Sequence, residues 1–174
     1  MLPTVRRCYS SASATSIAAE FLAKYQSTPT RKSPAITPPA QKHTQFLDNN
    51  QLQRFSATLS RHELLQAPEY GTRLPACYHL AYFTPSQVEE ELGLDGTDTS
   101  FNPPSPFTRR MWAGGELEWV GGEENRLKTG QHVTETTKLV SAVGKQTRAG
   151  EEMVVVGVEK IYTNKKGVAL LDKR

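Results

Sequence analysis

Gln131-His-Val-Thr-Glu-Thr-Thr-Lys-Leu-Val140, Met153-Val-Val-Val-Gly-Val-Glu-Lys-Ile-Tyr162 and Val168-Ala-Leu-Leu171 decide the fold. In the first segment Val133, Glu135 and Thr137 alternate with Thr134, Thr136 and Lys138, and β-branched residues dominate, which is the pattern of a strand with two different faces. The second holds Val154, Val155, Val156, Val158 and Ile161. Gly144 to Gly150 supplies a turn and Asn164-Lys-Lys-Gly167 a hairpin loop, so three successive strands form an antiparallel meander. Val154, Val156 and Val158 fall on one side of the sheet and Val155 on the other. An apolar face of that kind marks an interaction surface, and its expected cover is a second unit of the same type, either another domain or a homodimer mate. Asp172-Lys-Arg174 falls in or directly after a strand, so the chain reads as cut short there.

Outward from the meander, residues 74–107 are dense in turn chemistry: Thr84-Pro85, Gly93, Asp95-Gly96, Asn102-Pro-Pro104 and Ser105-Pro106. The apolar run Tyr78-His-Leu-Ala-Tyr-Phe83 anchors one end, which predicts an ordered, meandering loop. Before it, Asp48 is placed to cap a helix through about Gln66, with Leu52, Phe55 and Leu59 as its apolar stripe and Pro68 and Gly71 ending it. The segment 27–40 has four prolines in fourteen residues and reads as a linker. Ile17, Phe21 and Tyr25, capped by Ser16, predict a short helix over 16–26. The folded body is therefore expected to begin at Phe46, as a domain over 46–174 behind an arm of residues 1–45.

Charge separates these parts. Residues 1–47 carry six Lys/Arg against the single acid Glu20, and residues 48–174 carry fifteen against seventeen acids, for a formal net charge of +3 over 174 residues. A slightly acidic body repels phosphate backbones and argues against nucleic acid as a partner. No apolar run reaches the ~18 residues of a membrane span, so no membrane partner is expected. Cys8 and Cys77 lack C-x-x-C spacing, giving neither a zinc site nor a disulfide framework. The opening stretch has Arg6, Arg7 and serines at 10, 11, 13 and 16, with no acid before Glu20. That composition is typical of an import leader for the mitochondrial matrix, and Arg7-Cys-Tyr-Ser10 has the form of a processing site. Positive charge is drawn inward by the matrix-negative potential, at about 2.3 kcal/mol per charge per 100 mV.

The densest chemical cluster is Pro106-Phe-Thr-Arg-Arg-Met-Trp-Ala-Gly-Gly-Glu-Leu-Glu-Trp119. Arg109 and Arg110 beside Met111 and Trp112, followed by Gly114 and Gly115, are the materials of an anion cradle, because glycines allow close backbone approach. From chemistry alone the same residues read more readily as core aromatics (Phe107, Met111 and Trp112), a glycine bend and solvated arginines. His43, His62, His79 and His132 are scattered, without metal-ligand spacing. The run from Gly114 to Gly122 lacks the Lys-Ser/Thr of a phosphate-binding loop, and there is no Gly-x-Ser-x-Gly elbow. Neither a metal nor a cofactor is expected.

Tyr82-Phe-Thr-Pro85, Leu92-Gly-x-Asp-Gly-Thr-Asp98 and Phe101-Asn-Pro-Pro-Ser-Pro-Phe-Thr-Arg-Arg-Met-Trp-Ala-Gly-Gly115 together resemble the first hotdog of fungal mitochondrial type 2 hydroxyacyl-thioester dehydratases, relatives of mesaconyl-CoA hydratases and other MaoC-like enzymes. Val133-Thr-Glu-Thr-Thr137, Lys145-x-x-Arg148, Val158-Glu-Lys160 and Gly167-Val-Ala-Leu170 follow in the same order, and the resemblance runs from about Phe46 to the end. It implies an α+β hotdog-like fold, a helix packed on a curved antiparallel sheet. It also implies a substrate carried as a thioester of acyl carrier protein or coenzyme A, dehydrated from the 3-hydroxyacyl to the trans-2-enoyl form within fatty-acid synthesis. The acid and base of that reaction lie, in the family, in an Asp-x-Asn-x-Ile-His motif of a second hotdog. The nearest string here, Asp48-Asn-Asn-Gln-Leu-Gln53, lacks both Ile and His, so no catalytic residue carries over. The resemblance implies a non-catalytic half that shapes an acyl-binding tunnel, with Arg109 to Gly115 meeting the substrate, arginines toward its anionic end and Met111/Trp112 toward the acyl chain. A free-standing inactive hotdog that binds acyl thioesters, or a structural partner in a mitochondrial assembly, is the alternative.

Overall fold

The computed structural model describes residues 13–26, 40–66 and 68–174. Helices α1 (Ala14–Gln26), α2 (Asn49–Thr58) and α3 (His79–Tyr82) accompany strands β1 (Gln41–Phe46), β2 (Glu116–Trp119), β3 (His132–Gln146), β4 (Glu152–Asn164) and β5 (Gly167–Lys173). The five strands form one antiparallel sheet in the order β1-β3-β4-β5-β2. The expected meander is β3-β4-β5, and the α+β, hotdog-like class expected from the sequence is the class observed. A bulge between Leu139 and Ser141 shifts the β3–β4 register, so the inward phase passes from Leu139 to Ala142.

Asp48 caps α2 as expected, accepting the Gln51 backbone N–H at 2.8 Å. The helix ends far short of Gln66 because Ser60 takes φ +53 and the Arg61 N–H closes back onto the Ser56 carbonyl at 2.9 Å. Leu52 is buried with Leu47, Tyr78, Tyr82, Phe83, Leu127, Val133, Tyr162 and Leu170 in the main core. The anchoring role of Tyr78 to Phe83 is thus met: Tyr78, His79, Tyr82 and Phe83 are all buried.

Two expectations need correction at the N-terminal side. The sheet takes its edge strand β1 from Gln41–Phe46, ahead of the boundary expected at Phe46, pairing Gln45 with Val133 and His43 with Glu135. The helix expected over 16–26 spans Ala14–Gln26 and is not part of a detached, disordered arm: Ala14, Ile17, Ala18 and Phe21 are buried. Their i, i+3, i+4, i+7 spacing makes one apolar stripe, and it covers Leu139, Ala142, Val154, Val156 and Val158. That valine face, for which a second unit was the expected cover, is therefore covered in part from within the chain, its valines remaining half-buried. Gly144 makes the close seating possible, since a Cβ there would stand 2.4 Å from the Thr15 backbone nitrogen. The Ala14 N–H donates to Glu152 Oε2 at 3.1 Å, and the Tyr25 hydroxyl donates to the Ser100 carbonyl at 2.7 Å. The leader, Cys8 and the linker's prolines lie outside the described residues. Among the described residues no helix is long and apolar enough to cross a membrane.

Candidate functional site

Cross-strand partners share a face of a sheet. The register places His43, Glu135, Tyr162 and Leu170 in one row across β1, β3, β4 and β5, and Gln41, Thr137, Lys160 and Asp172 in the next. These two rows lie between the main core and the valines under α1, on the same inward face. Ionisable side chains thus occupy the middle of an otherwise apolar surface, where a charge persists only if it is paired.

They are paired. Lys160 Nζ donates to Glu135 Oε1 at 3.0 Å, and the Thr137 hydroxyl donates to the same oxygen at 3.1 Å. The Arg174 guanidinium grips Asp172 with Nε at 3.0 and 2.9 Å and Nη2 at 2.6 Å, a fork-on-carboxylate geometry. His79 descends from α3 onto the Tyr162 ring, their centroids 4.9 Å apart, and is only 2% exposed. Burial pushes the His79 imidazole down to about 4, against the opposing pull of Asp172, so the ring is neutral at physiological pH. Burial, with the Glu135 carboxylate facing it, pushes the Tyr162 phenol well above its ordinary range. Glu135 Oε2, His79 Nε2 and the Tyr162 hydroxyl are buried without a hydrogen-bond partner. The layer holds acid–base groups and seals them: Glu135, Asp172, Tyr162 and His79 are all buried.

Arg174 connects this layer to the surface. Its guanidinium lies 5.6 Å from the centroid of the Trp112 ring, and its hydrogen bonds to Asp172 raise its pKa above the already high arginine value. Trp112 belongs to the loop 107–115 that leads into β2 and is 68% exposed; its neighbour Met111 is 83% exposed. Neither is core. Gly115 is required by packing, since a Cβ there would meet the Trp112 ring at 2.9 Å and the Lys173 carbonyl at 3.0 Å. Gly114 stands at φ +151, where a side chain is strained. The two arginines diverge in their commitments. Arg110 donates to the Asp98 carbonyl at 2.9 Å, whereas Arg109 has no hydrogen-bond or ion-pair partner among the described residues. Of the residues read as an anion cradle, the structure brings Trp112 and Gly115 together, adds Arg174 beneath them, and leaves Arg109 and Met111 open to solvent.

Sequence reasoning missed His79, Glu135, Lys160, Tyr162, Asp172 and Arg174. The available signal was phase: Glu135 occupies the inward position between Val133 and Thr137, and Lys160 continues the inward run of Val154, Val156 and Val158. Among the described residues no three His, Cys, Asp or Glu side chains are placed to hold a metal.

Comparison with known proteins agrees with this architecture. Over 98 residues the chain is 30% identical to a mesaconyl-C(4)-CoA hydratase of Chloroflexus aurantiacus, a match that covers 55% of this chain and 34% of that protein. The chain therefore spans about a third of the length of the curated relative it matches. The family model for hydroxyacyl-thioester dehydratase type 2 matches residues 77–174, from the turn before α3 through β5 and including the buried ionic layer and the Arg109–Gly115 loop. The chain belongs to the hydroxyacyl-thioester dehydratase type 2 family.

Proposed function

We propose that this chain is the ligand-shaping, non-catalytic half of a 3-hydroxyacyl-thioester dehydratase of mitochondrial fatty-acid synthesis, working beside a unit that supplies the acid and base. The observation that carries this reading is the division of labour between two neighbouring sites. The acid–base groups Glu135, Asp172, Tyr162 and His79 are buried in an ionic layer, while Arg109, Met111 and Trp112 stand open to solvent on the loop whose Trp112 ring lies over Arg174. Dehydration needs a base at C2 and an acid at the leaving hydroxyl within hydrogen-bond reach of substrate. A histidine 2% exposed does not meet that requirement, whereas an aromatic and a thioether beside a free guanidinium match an acyl chain ending in an anionic carrier.

Titration calorimetry with a saturated acyl-CoA and with an acyl carrier protein thioester tests the binding role and separates the two carriers. Arg109→Ala with Met111→Ala is expected to weaken binding about tenfold or more without changing the melting temperature. The chain alone is expected not to hydrate trans-2-enoyl-CoA above background, since positioned acid–base groups each contribute roughly 10²–10⁴-fold. Robust turnover abolished by replacing His43, His62, His79 or His132 would overturn the reading. Matrix residence rests on the basic, acid-poor opening around Arg6 and Arg7. N-terminal sequencing of the endogenous protein is expected to start at or just after Ser10, and recovery of intact Met1 would count against import.

A further inference from the structure

Three segments are stitched together at the end of the sheet remote from α1. Leu47 exchanges backbone hydrogen bonds with Gln131 and Gly130 at 2.9 and 2.8 Å. Residues 69–74 run back along 127–129, with Gly71 N–H on the Thr129 carbonyl, Thr129 N–H on the Thr72 carbonyl and Leu74 N–H on the Leu127 carbonyl, all at 2.9–3.0 Å. The Thr129 hydroxyl adds a bond to the Glu69 carbonyl at 2.8 Å. Between these segments opens a pocket of about 490 Å³, lined chiefly by Phe46, Tyr70, Gly71, Lys128 and Gly130.

The pocket is aromatic and exposed. Tyr70 is 71% exposed, yet its ring is placed: its centroid lies 6.2 Å from that of Phe46, which in turn lies 5.0 Å from the His132 ring. Gly130 stands at φ +81, and a Cβ there would meet Tyr70 Cδ1 at 2.9 Å, so both backbone and space hold this position for glycine. Lys128 lines the same pocket, and its ammonium has no carboxylate partner among the described residues, whereas Arg73 beside it is paired with Glu123. Water gains little from exposed rings, and rings held by a hydrogen-bonded frame lose little entropy on meeting a flat partner. A lone cation at the wall adds preference for negative charge.

We propose that this pocket binds a nucleoside phosphate, its heteroaromatic base against Tyr70 and Phe46 and its phosphate toward Lys128. A flexible acyl chain gains most from an enclosed apolar tube, and this site is an open one with two mutually inclined aromatic rings at its wall. Stacking on aromatic side chains tolerates any base, because every base has a π-face. Two sources present this chemistry, a free nucleotide and the adenosine phosphate end of coenzyme A. Only the second rests on the thioester reading above.

Calorimetry of the full chain with ADP, coenzyme A and 4′-phosphopantetheine separates them. ADP and coenzyme A are expected to bind and 4′-phosphopantetheine, which lacks a base, is not. Coenzyme A binding tighter than ADP identifies the carrier as the source, and equal affinities identify a free nucleotide. Tyr70→Ala is expected to weaken ADP binding at least tenfold with an unchanged melting temperature, and Lys128→Ala to weaken it and flatten its salt dependence. Failure of ADP to bind at millimolar concentration, or ADP binding indifferent to Tyr70→Ala, overturns the proposal. A chain that binds ADP but no acyl thioester overturns the preceding reading and leaves this one standing.

Discussion

The centre of the β3-β4-β5 sheet and the loop 107–115 invert the ordinary partition of side chains in opposite directions. In the sheet Glu135, Lys160 and Asp172 turn inward, with His79 of α3 packed onto Tyr162 beside them; in the loop, Met111 and Trp112 lie outside. The difference between them is satisfaction. Each buried charge has a partner that offsets its desolvation, and removing a partner exposes the full cost. The exposed pair has no partner that fills its surface, only the Gly115 backbone and one face of Arg174. Stability is therefore expected to depend on the first region and ligand binding on the second, with Arg174 belonging to both.

The comparison breaks most visibly at Lys160. Lys160→Met keeps the volume but leaves Glu135 buried with only the Thr137 hydroxyl, and is expected to destabilise by about 3 kcal/mol or more. Glu135→Gln in the same chain is expected to restore most of that loss, since a neutral amide needs no counter-charge. Urea unfolding of the wild type and the two variants measures it. A Lys160→Met chain as stable as the wild type would show that the ionic layer is not closed in solution.

Acid is the next probe. His79 holds a pKa of about 4 in the folded chain against 6.5 when unfolded. The unfolded state therefore takes up a proton first as pH falls, and stability is lost between about pH 6.5 and pH 4. The full effect is roughly 3 kcal/mol, from about 1.4 kcal/mol per pKa unit. His79→Phe is expected to remove that slope from a pH series of melting curves. An unchanged slope in the variant would mean that the imidazole is hydrated in the folded state.

How much of this was legible beforehand follows from how local each signal is. Strands β3, β4 and β5 were readable because alternation and turn residues are contiguous in the chain, and the Asp48 cap because capping acts over three residues. Strand β1 was not: Gln41-Lys-His-Thr-Gln-Phe46 is an edge strand whose polar side chains stay largely exposed, so it carries no apolar period. The seat of α1 was hidden because it depends on Gly144 being flat beneath residues more than a hundred positions earlier. The early end of α2 depends on one residue, Ser60, adopting a positive φ that serine seldom takes. At the site, the loop was visible as composition, but the ionic layer appeared only as charges in the inward phase of β3 and β4. Which charge meets which is a property of register, and the bulge between Leu139 and Ser141 resets that register without a sequence mark.

The smallest expected change in stability is the most informative about the loop. Trp112→Ala removes the ring over Arg174 and the contact with Gly115, both at a largely exposed site. A cation–π pair there contributes about 0.5–1 kcal/mol, and Arg174 keeps its fork on Asp172 without it. The melting temperature should fall slightly if at all. If the loop is a ligand surface, acyl-thioester affinity should fall far more than stability does, because a bound acyl chain would lose its largest apolar contact. The two measurements on one variant therefore separate the alternatives. A fall of several kcal/mol in stability would make Trp112 the outer wall of the ionic layer, shielding Arg174 and Asp172 from water. A small fall accompanied by lost binding would assign the indole to the ligand, and the division between a sealed sheet and an open loop would hold.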